Sequence, residues 1–194
     1  MKNIVIIKGS VRPNNYTSMA VEVLINEINK NHTVSYQLID PKDFKLPFPG
    51  LGEHSVDAVR LNAIVKTATG IIFATPEYHG SFSSVTKLII ENLGFPSALA
   101  GKPIALLGVA AGDIGAVKSL ESLRSVCSHV GGIVLPGPVS VAHVHEAFDD
   151  EGHCIDKKVD KRIRSLFLNL IDYIDTFICP NINLEDLVRN EDLN

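Results

Sequence analysis

The chain has 194 residues, 45% apolar and 21% charged, with a formal net charge of −4. This is ordinary composition for a globular protein with a sizeable core, and with no basic run it offers no footprint for a nucleic-acid backbone. No apolar run is long enough to span a bilayer, no signal-peptide pattern opens the chain, and Cys127, Cys154 and Cys179 lie too far apart for a disulfide framework, so a reducing cytoplasm is expected.

Residues 3–8 are predicted as a buried strand that ends in Gly9-Ser10. From Thr17 the period becomes helical, with Val21, Leu24, Ile25 and Ile28 on one face. Residues 33–39 form a second predicted strand, and the Pro- and Gly-rich stretch 42–54 a loop. A helix is expected over 55–68, a buried strand over 70–75 and a helix over roughly 83–94. Residues 103–109 read as a fourth strand, 115–130 as a helix, and 132–136 as the start of a fifth strand. A long amphipathic helix follows, with Ile163, Leu166, Phe167, Leu170 and Ile174 on one face. The polar, acidic tail, 181–194, is expected to pack as a short helix or to fray.

Strand and helix alternate throughout, and several strands are continuously apolar. That pattern predicts an α/β fold with a parallel sheet covered on both faces. No internal repeat and no linker divides the chain, so one domain spanning 1–194 is expected.

In such folds ligands bind beyond the carboxyl ends of the strands. Three loops stand there: GSVRPNNYT after the first strand, TPEYHGS after the third and AAGDIG after the fourth. In the first, Gly9 is expected to permit an unusual turn. Ser10, Asn14, Asn15 and Thr17 offer polar groups, Arg12 adds a forked cation, and the next helix start has unpaired N–H groups that favour an anion. The same residues also suit a plain turn with a helix cap, so two readings stand. There is no G-x-x-x-x-G-K-[ST] and no G-x-G-x-x-G after the first strand. In the second loop Pro76 would stiffen a turn, Gly80 would let backbone approach a ligand, and Tyr78 would supply an aromatic face with a polar tip. It too could be only a strand-to-helix turn.

Taken together, GSVRPNNYT, TPEYHGSFSSVTKLIIENL and GKPIALLGVAAGDIGA resemble, in order and spacing, the NADPH-dependent FMN reductases. These are flavodoxin-like flavoproteins that include quinone, chromate and azo-dye reductases. The likeness covers roughly residues 2–175. It implies a doubly wound, five-stranded parallel sheet in the order 2-1-3-4-5, with helices on both faces. It further implies FMN as cofactor, with NADPH or NADH as electron donor. Ser10, Arg12, Asn15 and Thr17, with Asn14 and Tyr16 beside them, would hold the FMN phosphate. Pro76, Glu77, Tyr78, His79 and Gly80 would border the isoalloxazine ring, largely through backbone. Ala110, Ala111, Gly112 and Gly115 would line the other side.

The chain departs from the family pattern in places. The family usually has Ser where Asn15 stands, often Asn at Thr17 and commonly Asn at His79. Its Gly-Gly pair is here Gly115-Ala116, and its N-G-S-x-P-G is here H-G-S-F-S-S, so Phe82 to Ser84 differ.

The implied chemistry is hydride transfer from nicotinamide to flavin N5, then reduction of a quinone, free flavin or similar small acceptor by a ping-pong mechanism. The flavin carries it, so no side chain is nominated as catalytic acid or base. A homodimer or homotetramer is implied, with the helix carrying Lys87 and Glu91 near a subunit interface. Those two residues could equally pair on the helix surface. Two other classes stay open: a flavodoxin-type electron carrier, for which a pI of about 5.9 is only mildly acidic, and a flavin-free binding domain. His143-Val-His145 shows no third ligand in sequence, and no metal is expected there. The missing cysteine cluster argues against an iron–sulfur relative. Glu121 and Arg124 read as solvated charges.

Overall fold

The structure is a computed structural model and describes residues 1–51 and 55–179. The predicted tail therefore lies outside the described residues, as does the end of the 42–54 loop. In chain order the elements are β1 (Lys2–Lys8), α1 (Tyr16–Ile28), β2 (Val34–Ile39), α2 (Val56–Lys66), β3 (Gly70–Tyr78), β4 (Ser81–Phe82) and α3 (Ser84–Glu91). Then come β5 (Pro103–Val109), α4 (Val117–His129), β6 (Ile133–Val134), β7 (Val139–Val141), α5 (Val144–Ala147) and α6 (Lys157–Tyr173).

The sheet runs β2-β1-β3-β5-β6, and β7 also pairs with β5. All of these pairings are parallel; only the short β4 runs antiparallel, against β3. With β6 and β7 taken as one interrupted edge strand, the order is 2-1-3-4-5, as the resemblance implies. The fold is flavodoxin-like.

The continuously apolar strands have a direct cause. Successive side chains of a strand point to opposite faces. Ile4 and Ile6 of β1 pack with Ile72, Leu107, and the apolar faces of α1 and α6, among them Leu24 and Phe167. Val5 and Ile7 pack on the other side with Phe73, Leu106, and Leu61, Ile89 and Leu123 of α2, α3 and α4. Both faces are buried, so the middle of each central strand is apolar, and the buried polar residues Lys8 and Thr75, toward the carboxyl ends, are paired with Asp40 and Thr86.

The edge strand differs from expectation. The run 132–136 breaks after Val134 because Leu135-Pro136-Gly137-Pro138 follows; the prolines supply no ladder N–H, and Gly137 sits at φ +75. Pairing resumes only at β7. Arg124 is not simply solvated: it is half-buried and donates to the carbonyls of Val134 and Leu135, at 3.3 and 2.8 Å, bracing this break. At the far edge, buried Lys8 pairs with Asp40 beyond β2. Burial alone would push the Asp40 carboxyl up. The hydrogen bonds from Lys8 Nζ and Lys42 N, together with their charges, outweigh it and hold the carboxyl below its ordinary range.

Candidate functional site

The loop after β1 is built on a close approach. Gly9 N donates to Ala74 O at 2.7 Å. A Cβ on Gly9 would lie 2.3 Å from Thr86 Oγ1 and 3.0 Å from Ala74 O. The residue is glycine for lack of space; the expected unusual turn is not its reason, since its φ is not in the left-handed region.

Ser10 is buried, and its Oγ accepts from Arg12 N at 3.4 Å. Asn14 takes a left-handed φ of +48, which asparagine tolerates better than most residues. Asn15 is the N-cap of α1. Its Oδ1 accepts from Ser18 N at 2.8 Å, and its Nδ2 donates to Arg12 O at 2.6 Å. Asparagine and serine are both strong N-caps, which accounts for the family's usual serine being replaced here. The first-turn N–H groups of Tyr16 and Thr17 have no acceptor among the described residues, as expected at a helix start. The Arg12 guanidinium is exposed, and no described residue pairs with it.

The loop after β3 is a hairpin. Glu77 pairs with Phe82 and Tyr78 with Ser81, leaving His79-Gly80 as a two-residue turn with φ of +53 and +74. Both central residues of a type I′ turn need positive φ. Asparagine and histidine are among the non-glycine residues that accept it, so His79 can stand where the family commonly has Asn. Pro76 does not stiffen a turn: it sits inside β3, buried and in register with Val109. The Glu77 side chain is also committed elsewhere. Its Oε2 accepts at 3.1 Å from Ser119 N, in the first turn of α4, where the preceding Ala116 can supply no side-chain cap.

Behind this hairpin lies a buried hydroxyl network that sequence reasoning missed. Ser83 Oγ donates to Gly9 O at 2.6 Å and accepts from Thr86 N at 3.1 Å. Thr75 Oγ1 accepts from Ser83 N at 3.2 Å and from Thr86 Oγ1 at 3.2 Å. Ser83 is thus both the α3 cap and the tie between the first two loops. The signal was present, since Ser83-x-x-Thr86 opens a helix, but only the fold places Gly9 beside it.

The loop after β5 is held at both ends. Ala110 N donates to Val141 O at 2.9 Å, and Ala110 O accepts from Val144 N at 3.1 Å. Gly115 has φ +71, and a Cβ there would meet Ser140 Oγ at 2.4 Å. Between these anchors, Gly112 faces open space.

The three loops meet around one opening at the carboxyl ends of β1, β3 and β5. A cleft of about 360 Å³ is lined by Arg12 and Asn14 to Thr17 from the first loop, Pro76 to Tyr78 from the second, and Ala110 and Ala111 from the third. A shallower hollow of about 480 Å³ adjoins it, lined by His79, Gly80, Gly112 and Gly115 as well as Glu77, Ala110 and Ala111. Ser10 is not in either lining. Sequence reasoning missed Pro13, Val109 and Val144 in the cleft, and Asp113 and Ile114 in the hollow. Val109 was hidden inside a strand pattern, and Val144 belongs to the four-residue α5, too short to show a period.

Chemically, one end of the cleft presents an unpaired guanidinium and unpaired helix N–H groups, a donor set for an anion. The wall beside it is small and apolar, with backbone at its surface and Tyr78 partly exposed at its edge, a fit for a flat ring. A phosphorylated heteroaromatic cofactor suits both features.

The profile of the NADPH-dependent FMN reductases matches residues 2–146. An NAD(P)H-dependent FMN reductase of Pseudomonas aeruginosa is 28% identical over 167 residues, which are 81% of this chain and 87% of that protein. An FMN-dependent NADPH-azoreductase of Staphylococcus aureus is 25% identical over 184 residues, 90% of this chain and 96% of that one. Among solved structures, a flavoenzyme NAD(P)H:(acceptor) oxidoreductase of Paracoccus denitrificans superposes with a TM-score of 0.77 at 23% identity, covering 90% of this chain and 98% of that chain; this likeness speaks to the fold. The match across three quarters of the chain, on a flavodoxin-like sheet, makes this protein a member of the NADPH-dependent FMN reductase family, an oxidoreductase family that uses FMN with NADPH or NADH as electron donor.

Proposed function

We propose that the chain holds FMN in the 360 Å³ cleft and reduces a quinone, free flavin, azo compound or similar small acceptor at the expense of NAD(P)H. The carrying observation is the unpaired donor set at the start of α1. Arg12 and the N–H groups of Tyr16 and Thr17 would hold the phosphate, with Asn14 and the Thr17 hydroxyl within the same loop. Asn15 would act through its cap, which fixes the first turn, and Ser10 through its bond to the loop backbone. Pro76 to Tyr78, with the His79-Gly80 turn, would border one edge of the ring, and Ala110, Ala111, Gly112 and Gly115 the other. FMN supplies hydride acceptance and delivery. Backbone N–H groups beside the ring would favour negative charge on it. One opening serves donor and acceptor in turn, which requires ping-pong kinetics.

A homodimer or homotetramer belongs to this reading. Phe48, Val59 and Phe95 are exposed around one surface groove, with Phe95 fully in solvent. Lys87 pairs with Glu91 on the adjoining helix face, within its own chain. A reducing compartment belongs to the same reading, on the wide sequence spacing of Cys127, Cys154 and Cys179; no described helix is long and apolar enough to cross a membrane.

The visible spectrum before and after anaerobic NADPH tests the reading. Bound flavin should bleach, and heat should release FMN. Stoichiometric FAD would overturn the cofactor assignment. Binding of FMN without steady NAD(P)H consumption would point to an electron carrier, and a protein that stays colourless with added FMN to a binding domain. Parallel initial-rate lines are expected; intersecting lines would mean a ternary complex and no shared opening.

A further inference from the structure

The turn that leads into α5 brings together groups that the flavin reading does not use. His143, at the start of α5, takes a left-handed φ of +44. Its ring centroid lies 6.2 Å from that of His145. Glu146 Oε1 sits 4.0 Å from His143 Nδ1 and 3.7 Å from His145 Nε2. One ligating atom from each of the three lies within 4.8 Å of the other two. The third ligand that the H-x-H pair lacked in sequence is therefore its own neighbour, presented by the helical turn.

We propose that His143, His145 and Glu146 form a Zn²⁺ site at the rim of the cleft. Two imidazoles and one carboxylate match a three-ligand zinc set that keeps an open position. Ligands on a tetrahedral ion stand about 3.3 Å apart at ordinary zinc–ligand lengths. The three side chains are exposed and can close that difference by rotating. A further feature distinguishes the cluster from a chance surface group. The other nitrogen of His143, Nε2, faces Asp113 Oδ1 at 3.3 Å. Zinc-ligating imidazoles characteristically turn their second nitrogen to a carboxylate, which fixes the ring and raises its basicity. Asp113 comes from the loop after β5, which borders the hollow beside the cleft. A bound ion would thus fasten that loop to α5 through His143, acting on access to the cleft without touching it.

The site is independent of the flavin assignment, and its test uses the metal alone. Chelator-treated full-length protein is titrated with Zn²⁺ against a chromophoric zinc indicator at neutral pH. One equivalent should bind with micromolar or better affinity. His145→Ala and Glu146→Gln should each weaken it at least tenfold. His143→Asn, chosen because asparagine tolerates the left-handed backbone, should abolish it. Asp113→Asn should weaken it by roughly tenfold, as for other outer carboxylates. Circular dichroism and melting without metal should match the parent for all four, since each side chain is exposed. No zinc uptake by the parent at tens of micromolar, or uptake unchanged in all four variants, overturns the site; the second result would place the ion elsewhere, for instance at Asp149 and His153, which also make contact. Loss in the first three variants with Asp113→Asn unaffected would overturn the coupling to the loop.

Discussion

Two polar loops stand side by side at the carboxyl ends of β1 and β3, and they use the same residue types for opposite ends. In the stretch 9–17, the Arg12 guanidinium and the Tyr16 and Thr17 N–H groups find no partner among the described residues. In the stretch 75–86, Thr75, Ser83 and Thr86 are fully or almost fully buried, and their hydroxyls bond one another and Gly9 O. Position decides the difference: Arg12 is exposed and Tyr16 half-buried, and Thr17, although buried, has its N–H at a helix start that lines the cleft. A buried hydroxyl left unpaired costs about 1–3 kcal/mol, so burial forces partners inside the fold. An exposed donor is satisfied by water at no cost and remains free for a ligand. Polar residues after a strand thus mark a site only where the fold leaves them unspent.

This contrast can be broken at Gly9, where the two loops touch. Gly9→Ala should cost about 3 kcal/mol, at the upper end for overpacking, because one of the atoms in the way, Ala74 O, is backbone and cannot turn aside. Urea unfolding measures it. Thr86→Ala combined with Gly9→Ala should cost less than the sum of the two, since it removes the closest clash; strict additivity would show that Thr86 is not the obstacle.

Ser83→Ala tests the second loop. It removes a helix cap and leaves Gly9 O without its buried donor, about 2–3 kcal/mol together. Whatever flavin affinity is lost should be lost equally for FMN and riboflavin, since the network shapes the pocket and faces no phosphate. Preferential loss of FMN would contradict the division drawn between the loops.

Arg12→Ala should do the reverse. A charge-assisted hydrogen bond contributes about 1.5–3 kcal/mol, so FMN affinity should fall roughly tenfold to a hundredfold or more. Riboflavin, without the phosphate, should bind nearly as before, and the unfolding midpoint should not move. Equal losses for both flavins would make Arg12 a support of pocket shape.

Asn15 lies between the two behaviours, and its effect should be the smallest. Asn15→Ala removes the α1 cap for about 1 kcal/mol of stability. Asn15→Ser should restore it, because serine caps as well. Failure of serine to restore melting would mean that the Nδ2 bond to Arg12 O matters more than the cap.

Much of this was open to local reading. The apolar runs of β1, β3 and β5 follow from burial on both faces, and the periods of α1 and α6 from burial on one face, which repeats at 3.6 residues. The three loops that meet at the cleft were legible because polar and glycine residues follow apolar runs there. The sheet order came through family resemblance. The His79-Gly80 turn was visible as a glycine loop, though its two-residue hairpin geometry was not.

What only the tertiary structure decided is which partner each polar atom has. Glu77 reads as a residue of the ring-bordering loop, yet its carboxylate caps α4, reaching Ser119, 42 positions away. Gly9 reads as a turn glycine, yet Thr86 is what forbids its Cβ. His143 and His145 read as a pair without a third ligand, yet Glu146 stands beside both in the turn of α5, and packing sets Asp113, from the loop after β5, beside His143. The physical reason is common to all three. Hydrophobic periodicity is a property of consecutive residues, whereas a hydrogen bond, an ion pair or a steric contact is settled by whichever distant segment packing brings within about 3 Å.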